Sequence, residues 1–244
     1  MKIPIFALVL FASLVAAHGG VGTYIMDGET YDGWQPYNSP SGQTSIQREW
    51  STYDPLLTAD LSTVKIRCNN NGALGTGPIG EITAGTDLEV HWYQWTHRPA
   101  PVFVYMAKCP DSGCNDWDGS GTVWFKVDEA GLISGPRRGG TWAGDQVVDT
   151  LSWTSTIPEN LAPGDYMIRH EIVALHQAGN PQFYPECAQL TVTGSGTGVP
   201  SGDYLVSFPG AYTGQEPGFT MNIDAPDATT DTTYEMPGPA LWTG

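Results

Sequence analysis

The chain has 244 residues, with 26 acidic against 10 basic side chains and a formal charge of −16. Phosphate backbones are gripped by Lys and Arg, so a carboxylate excess this large excludes nucleic acid as a partner. It favours solubility and suits a neutral or insoluble partner. At the N-terminus, Lys2 precedes an apolar run from Ile3 to Val15 and the small pair Ala16-Ala17. This is the three-part layout of a secretory signal peptide, with cleavage expected after Ala17. The run is too short and wrongly flanked for a membrane anchor, and no later run is long enough to span a bilayer. A secreted product is expected, with residues 18–244 as one domain and no separate carbohydrate-binding module. Its first residue, His18, would then carry both a free α-amine and an imidazole, a ready chelate for a metal.

Thirty glycines and 19 prolines leave little room for long helices. Short apolar or alternating runs between turn residues predict strands instead, in order Val64–Cys68, Asp87–Trp92, Val102–Ala107, Val123–Val127, Leu151–Thr156, Tyr166–Leu175, Ala188–Thr193, Tyr204–Phe208 and Phe219–Ile223. In the second of these, Leu88, Val90 and Trp92 share one face, and Glu89 and His91 the other. Many short strands predict an all-β fold, an antiparallel sandwich of immunoglobulin-like or fibronectin-like type. The stretches 27–60, 69–86, 110–122, 133–150 and 224–244 read as long loops. The first carries Tyr31, Trp34, Tyr37, Trp50 and Tyr53, which argues for order. Cys68, Cys109, Cys114 and Cys187 predict two disulfides, with three pairings open. The short polar loop between Cys109 and Cys114 makes those two natural mates. Their spacing lacks the form of a zinc site.

Five histidines could carry chemistry. His91 falls mid-strand, and His170 alternates with Ile168 and Ile172; both read as structural, His170 as a hydrogen-bonded core residue. His97 follows the Asp87–Trp92 strand and precedes Arg98-Pro99-Ala100-Pro101, prolines that stiffen a loop. His176 ends a strand, and after a short loop come Gln182 and Tyr184, so an imidazole, an amide and a phenol converge.

The run Arg169-His170-Glu171-Ile172-Val173-Ala174-Leu175-His176, followed by Gln182-Phe183-Tyr184-Pro185-Glu186-Cys187-Ala188-Gln189-Leu190, resembles the fungal lytic polysaccharide monooxygenases of auxiliary activity family 9. The resemblance extends through His18-Gly19, Trp92 to Cys109, Gly119–Leu132, Ile157 to Tyr166, Phe208-Pro209-Gly210-Ala211-Tyr212 and Pro237-Gly238-Pro239. It implies a sandwich whose long loops form a flat substrate face. It implies one copper held by the His18 amine, the His18 ring and the His97 ring, with Tyr184 near the axial position. His176 and Gln182 would hydrogen-bond the bound oxygen species. Tyr212, and more loosely Tyr31 and Trp34, would meet the polysaccharide. Disulfides Cys68–Cys187 and Cys109–Cys114 are implied as well, in agreement with the loop argument. The implied activity is oxidative cleavage of β-1,4-glucan at C1 and/or C4, with an external electron donor and O2 or H2O2, by a monomer that needs neither membrane nor nucleic acid. Amine and imidazole nitrogens suit copper, which also leads the divalent affinity order.

The chain departs from the family pattern where x-Gly-Pro usually follows the second ligand; here Arg98-Pro99-Ala100-Pro101 stands instead, which bears on the His97 ring. The alternative is a secreted copper- and carbohydrate-binding sandwich without oxidative turnover. A glycosidase needs two carboxylates set across the scissile bond, and none of the 26 acidic residues is paired by context.

Overall fold

Leu88, Val90 and Trp92 are buried and Glu89 and His91 reach the outer face, as their alternation requires. In this computed structural model, residues 18–37, 39–69 and 74–244 are described; the expected leader, residues 1–17, lies outside them. The elements run β1 (Val21–Met26), β2 (Glu29–Asp32), α1 (Lys65–Cys68), β3 (Gly80–Thr83), β4 (Asp87–Trp92), β5 (Val102–Lys108), β6 (Trp124–Ala130), β7 (Leu132–Ser134), β8 (Thr141–Trp142), α2 (Ala143–Thr150), β9 (Ser152–Thr156), β10 (Gly164–Ala174), β11 (Gln182–Thr193) and α3 (Pro217–Thr220).

A four-stranded sheet, β2-β1-β4-β9, faces a five-stranded one, β3-β11-β10-β5-β6, in an immunoglobulin-like sandwich. All ladders are antiparallel except β11 with β3. Tyr24, Leu88 and Val90 from the first sheet meet Ile168, Ile172 and Ala188 from the second to form the core between them. The five-stranded sheet is covered on its other face too, by Leu56, Phe208, Tyr212 and Phe219 packed on Phe103, Met167, Val173 and Phe183. Burial on both faces is why β5, β10 and β11 read as nearly continuous apolar runs.

Three expected strands are not strands. Val64–Cys68 contains α1, in which the Ile66 and Arg67 carbonyls each accept from the Arg169 guanidinium at 2.8 Å. Phe219–Ile223 begins inside α3, where Pro217 takes the first helical position. Of Tyr204–Phe208, only Val206 pairs, with Trp124. Conversely, β11 starts at Gln182 rather than Ala188, because Ala174 opposite Gln182 continues the ladder to its end. Both disulfides form as expected, Cys68–Cys187 pinning α1 to β11 and Cys109–Cys114 closing a loop beyond β5.

The hydrogen bond expected of His170 is not formed. The residue is 1% exposed, and neither ring nitrogen has a partner among the described residues. In the inter-sheet core it sits directly across the ladder from Glu186 of β11 and edge-on to the Tyr24 ring at 6.0 Å. Burial pushes the imidazole down to about 3. Between its unfolded value of about 6.5 and that point, the unfolded chain holds a proton that the native one does not. Stability is therefore lost as pH falls through this window, by up to ~1.4 kcal/mol per pH unit. Urea unfolding from pH 7 to 4 should show His170→Leu gaining on the wild type as the solution is acidified. Parallel pH profiles would contradict the assignment.

Candidate metal centre

The segment His18-Gly19-Gly20 enters β1 beside the end of β4, where Tyr93 N–H donates to the Gly20 carbonyl at 2.9 Å. The Gln94 amide donates to the His18 carbonyl. Both glycines are required by close approach: a Cβ on Gly19 would strike the Gln94 carbonyl, and one on Gly20 the Glu186 carboxylate and the Trp50 ring. The arm thus lies flat against its neighbours, and the His18 ring arrives over β4's exit.

The loop carrying His97 is held by the strands it joins. Leu175 N–H donates to the Pro99 carbonyl at 2.9 Å, Val173 N–H to that of Pro101 at 3.1 Å, and Gly144 N–H to that of Ala100 at 2.8 Å. Arg98 points outward, its guanidinium on Asp149 and 3.4 Å from Asp145 of α2. The Arg-Pro-Ala-Pro sequence therefore continues the β5–β10 ladder, and it delivers His97 with its ring centroid 5.2 Å from that of His18.

Around this pair stand the other expected residues. The His176 ring, just beyond β10, stacks on His97 at 4.2 Å with a 5° interplanar angle. Tyr184 lies 6.0 Å from the His18 ring and 6.2 Å from that of His97, with Trp95 edge-on behind it at 4.9 Å. Its hydroxyl donates to Gln182 Oε1 at 2.9 Å. Burial, then the neighbouring His176 and His18, bring the His97 imidazole down to about 4. Burial and His18 lower His176 as well. At neutral pH both rings are neutral, the form in which imidazole binds a metal. The Tyr184 phenol is pushed far up by burial and by Asp54, so it stays protonated.

His97 Nε2 and His176 Nδ1 are buried without a hydrogen-bond partner among the described residues. Two imidazoles sharing one ion at roughly 2 Å from each nitrogen have centroids within roughly 6 Å, and the His18–His97 pair meets that limit. No three His, Cys, Asp or Glu side chains among the described residues are grouped to hold a metal. The donor set is thus two imidazoles plus whatever the backbone supplies, and an α-amine at His18 would complete three nitrogens. Such a set fits copper better than zinc or magnesium.

A family model described as "Auxiliary Activity family 9 (formerly GH61)" matches residues 18–234. The chain belongs to auxiliary activity family 9. It is 48% identical over 239 residues to the AA9 family lytic polysaccharide monooxygenase-like protein CEL1 of Agaricus bisporus, covering 97% of this chain and 74% of that one. It is 47% identical over 241 residues to AA9 family lytic polysaccharide monooxygenase B of Heterobasidion irregulare, covering 98% and 97%. Among solved structures, it superposes on a cellulose-active polysaccharide monooxygenase from M. thermophila with a TM-score of 0.84 at 41% identity, over 93% of this chain and all of that one. This family 9 chain is accordingly an oxidoreductase, a monooxygenase whose relatives are named for polysaccharide. No helix among its described residues is long and apolar enough to cross a membrane.

The structure moves the substrate-facing residues. Tyr212 is 4% exposed, its hydroxyl hydrogen-bonded to Glu171 at 2.9 Å and to Tyr105 at 3.0 Å, so it is a core residue and no stacking platform. Trp34 is 8% exposed, held by its own backbone N–H on Gln47, and equally unavailable. Tyr31 closes the sandwich edge, its hydroxyl accepting from Glu81 N–H at 3.4 Å. Glu81 pairs with Thr191, far along β11 from Tyr184. Exposed rings are found instead at Tyr37 and Tyr93, 49% and 39% exposed, bridged by Tyr53 at 5.1 and 6.3 Å, with the Tyr93 ring against Gly22 of β1. Tyr93 was legible, since it continues the outward face of Glu89 and His91. Tyr37 and Tyr53 were not, because nothing in an irregular loop says which rings turn outward.

Proposed function

We propose that this family 9 monooxygenase is secreted, loses residues 1–17, and carries one copper on the His18 amine, the His18 ring and His97 Nε2. The observation that carries the reading is the convergence of the two imidazoles at 5.2 Å on the residue where the family match begins. Bound there, copper would supply the one-electron chemistry that turns O2 or H2O2 into an oxidant for C1 and/or C4 of a β-1,4-glucan.

The chain's own residues do the rest. His97, neutral down to about pH 4, offers a lone pair without competition from protons. Tyr184 fills one side of the site and, staying protonated, spends its hydrogen on Gln182 Oε1. This orients the Gln182 amide with its N–H2 free to donate. His176, parallel to His97, keeps Nδ1 without a protein partner, so that atom can accept or deliver a proton. An open surface rather than a deep pocket suits a polymer, and Tyr37, Tyr53 and Tyr93 offer sugar rings an aromatic patch alongside the start of β1, where the Tyr93 ring lies against Gly22. Cellulose is the substrate named for the M. thermophila relative, and a cellulose-like glucan is our reading for this chain.

Incubating the secreted protein with cellulose, copper and a reductant should yield oxidised oligosaccharides by mass spectrometry. Binding without any oxidised product would favour the non-catalytic alternative. The double variant Tyr37→Ala/Tyr93→Ala should adsorb to cellulose about tenfold more weakly, the scale of losing exposed aromatic anchors. Tyr212→Phe should leave adsorption unchanged, and the opposite pattern would restore Tyr212 to the substrate face.

A further inference from the structure

Behind the His18 arm lies a polar group that neither binds a metal nor faces solvent. Glu186, 2% exposed, shares a face of β11 with Tyr184 and Ala188, the face turned to the inter-sheet core. Its Oε2 accepts the Val21 N–H, and its Oε1 abuts Gly20, where a Cβ would collide with it. The Val21 carbonyl is held in turn by the Gln47 amide at 3.0 Å. Both backbone groups of Val21 are thus satisfied by side chains. Directly across the ladder from Glu186 is His170, neither of whose ring nitrogens has a partner among the described residues, and the edge-on ring beyond it is Tyr24. A buried polar group costs stability unless it is hydrogen-bonded, and the bond that compensates Glu186 goes to the arm that bears His18.

We propose that Glu186 is the positioning residue of the N-terminal arm: by fixing Gly20 and the Val21 amide to the strand that carries Tyr184, it sets where the His18 amine and ring stand relative to His97. The proposal rests on the copper reading above for its consequence, though the anchoring itself does not. Tyr184 and Glu186 lie on one face of one strand, so a single rigid element positions both the phenol and the arm. An apolar residue at 186 would leave the Val21 N–H buried without an acceptor and release the arm. A glutamine would keep an acceptor oxygen in place.

The test uses the chain beginning at His18, with Glu186→Leu, Glu186→Gln and Gly20→Ala. In metal-free protein, Glu186→Leu should speed hydrogen exchange of the Val21 amide about tenfold beyond any change at core amides. With Cu(II), it should weaken binding about tenfold and alter the copper hyperfine pattern in spin resonance. Glu186→Gln should restore all three. A folded Glu186→Leu protein with native Val21 protection and a native copper spectrum overturns the proposal. Should that variant not fold, Gly20→Ala decides: its Cβ displaces the arm from the carboxylate, and an unchanged copper spectrum there overturns the proposal equally. If the unaltered chain binds no copper, the functional reading fails, while the exchange data still decide the anchoring.

Discussion

Copper binding should be lost when His18 is replaced by alanine, and nearly lost when a single residue is left ahead of it. In the proposed centre the His18 ring would supply one of two side-chain donors, and its amine the third nitrogen from the same residue. Losing an outer hydrogen-bond partner of a ligand typically costs about 10–100-fold in affinity, so losing a ligand and breaking its chelate should exceed that range. Calorimetric titration of Cu(II) into chains beginning at His18, at Ala17 and at an alanine in place of His18 measures this directly. The chain beginning at Ala17 is the sharper arm, because it keeps both imidazoles and moves only the amine. If it bound copper as tightly as the chain beginning at His18, the three-nitrogen assignment would be wrong. Production of oxidised oligosaccharides should follow affinity across the three.

Glu171→Ala should destabilise the fold more than any surface change. Glu171 and Arg169 are both wholly buried, joined by two hydrogen bonds of 2.7 and 2.9 Å. The guanidinium also stacks over Phe208 at 4.0 Å. The same carboxylate accepts from the Tyr212 hydroxyl. Removing it strands a cation in a low-dielectric core, at a cost of roughly 3–5 kcal/mol and a melting-point drop of roughly 6–20 °C. Differential scanning calorimetry reads this out. The double variant Arg169→Met/Glu171→Leu should recover part of the loss, since no lone charge remains. Recovery should be incomplete, because Arg169 also binds the carbonyls of Ile66 and Arg67 and they would lose their donor. A Glu171→Ala protein melting with the wild type would mean that water or another anion reaches Arg169.

The substrate face shows where reading residues in order stops. Tyr212 sits in a segment that carries the family resemblance and was expected on the substrate face, yet its hydroxyl is committed to Glu171 and its ring to Phe183, Phe208 and Phe219. The outward turn of Tyr37 depends on Thr52, whose hydroxyl pairs with the Tyr37 hydroxyl at 2.9 Å. Such a contact between distant loop positions has no periodicity to announce it. His170 makes the same point inside the core: alternation placed it correctly, while its lack of a partner depends on what the facing sheet presents.

The order of residues was sufficient for the strands β4, β5 and β10, because alternation and apolar runs are local consequences of which face is buried. The short loop between Cys109 and Cys114 made that pair legible, whereas Cys68–Cys187 and the grouping of His18, His97, His176, Gln182 and Tyr184 were read through the family resemblance. Only the folded chain decided that Val64–Cys68 is helical, since the donor for its carbonyls, Arg169, comes from another strand. The tertiary structure likewise decided which tyrosines face outward and that Glu186 stands behind His18. Each of those outcomes is set by a partner brought in from elsewhere in the chain, and a local pattern carries no record of a partner it has yet to meet.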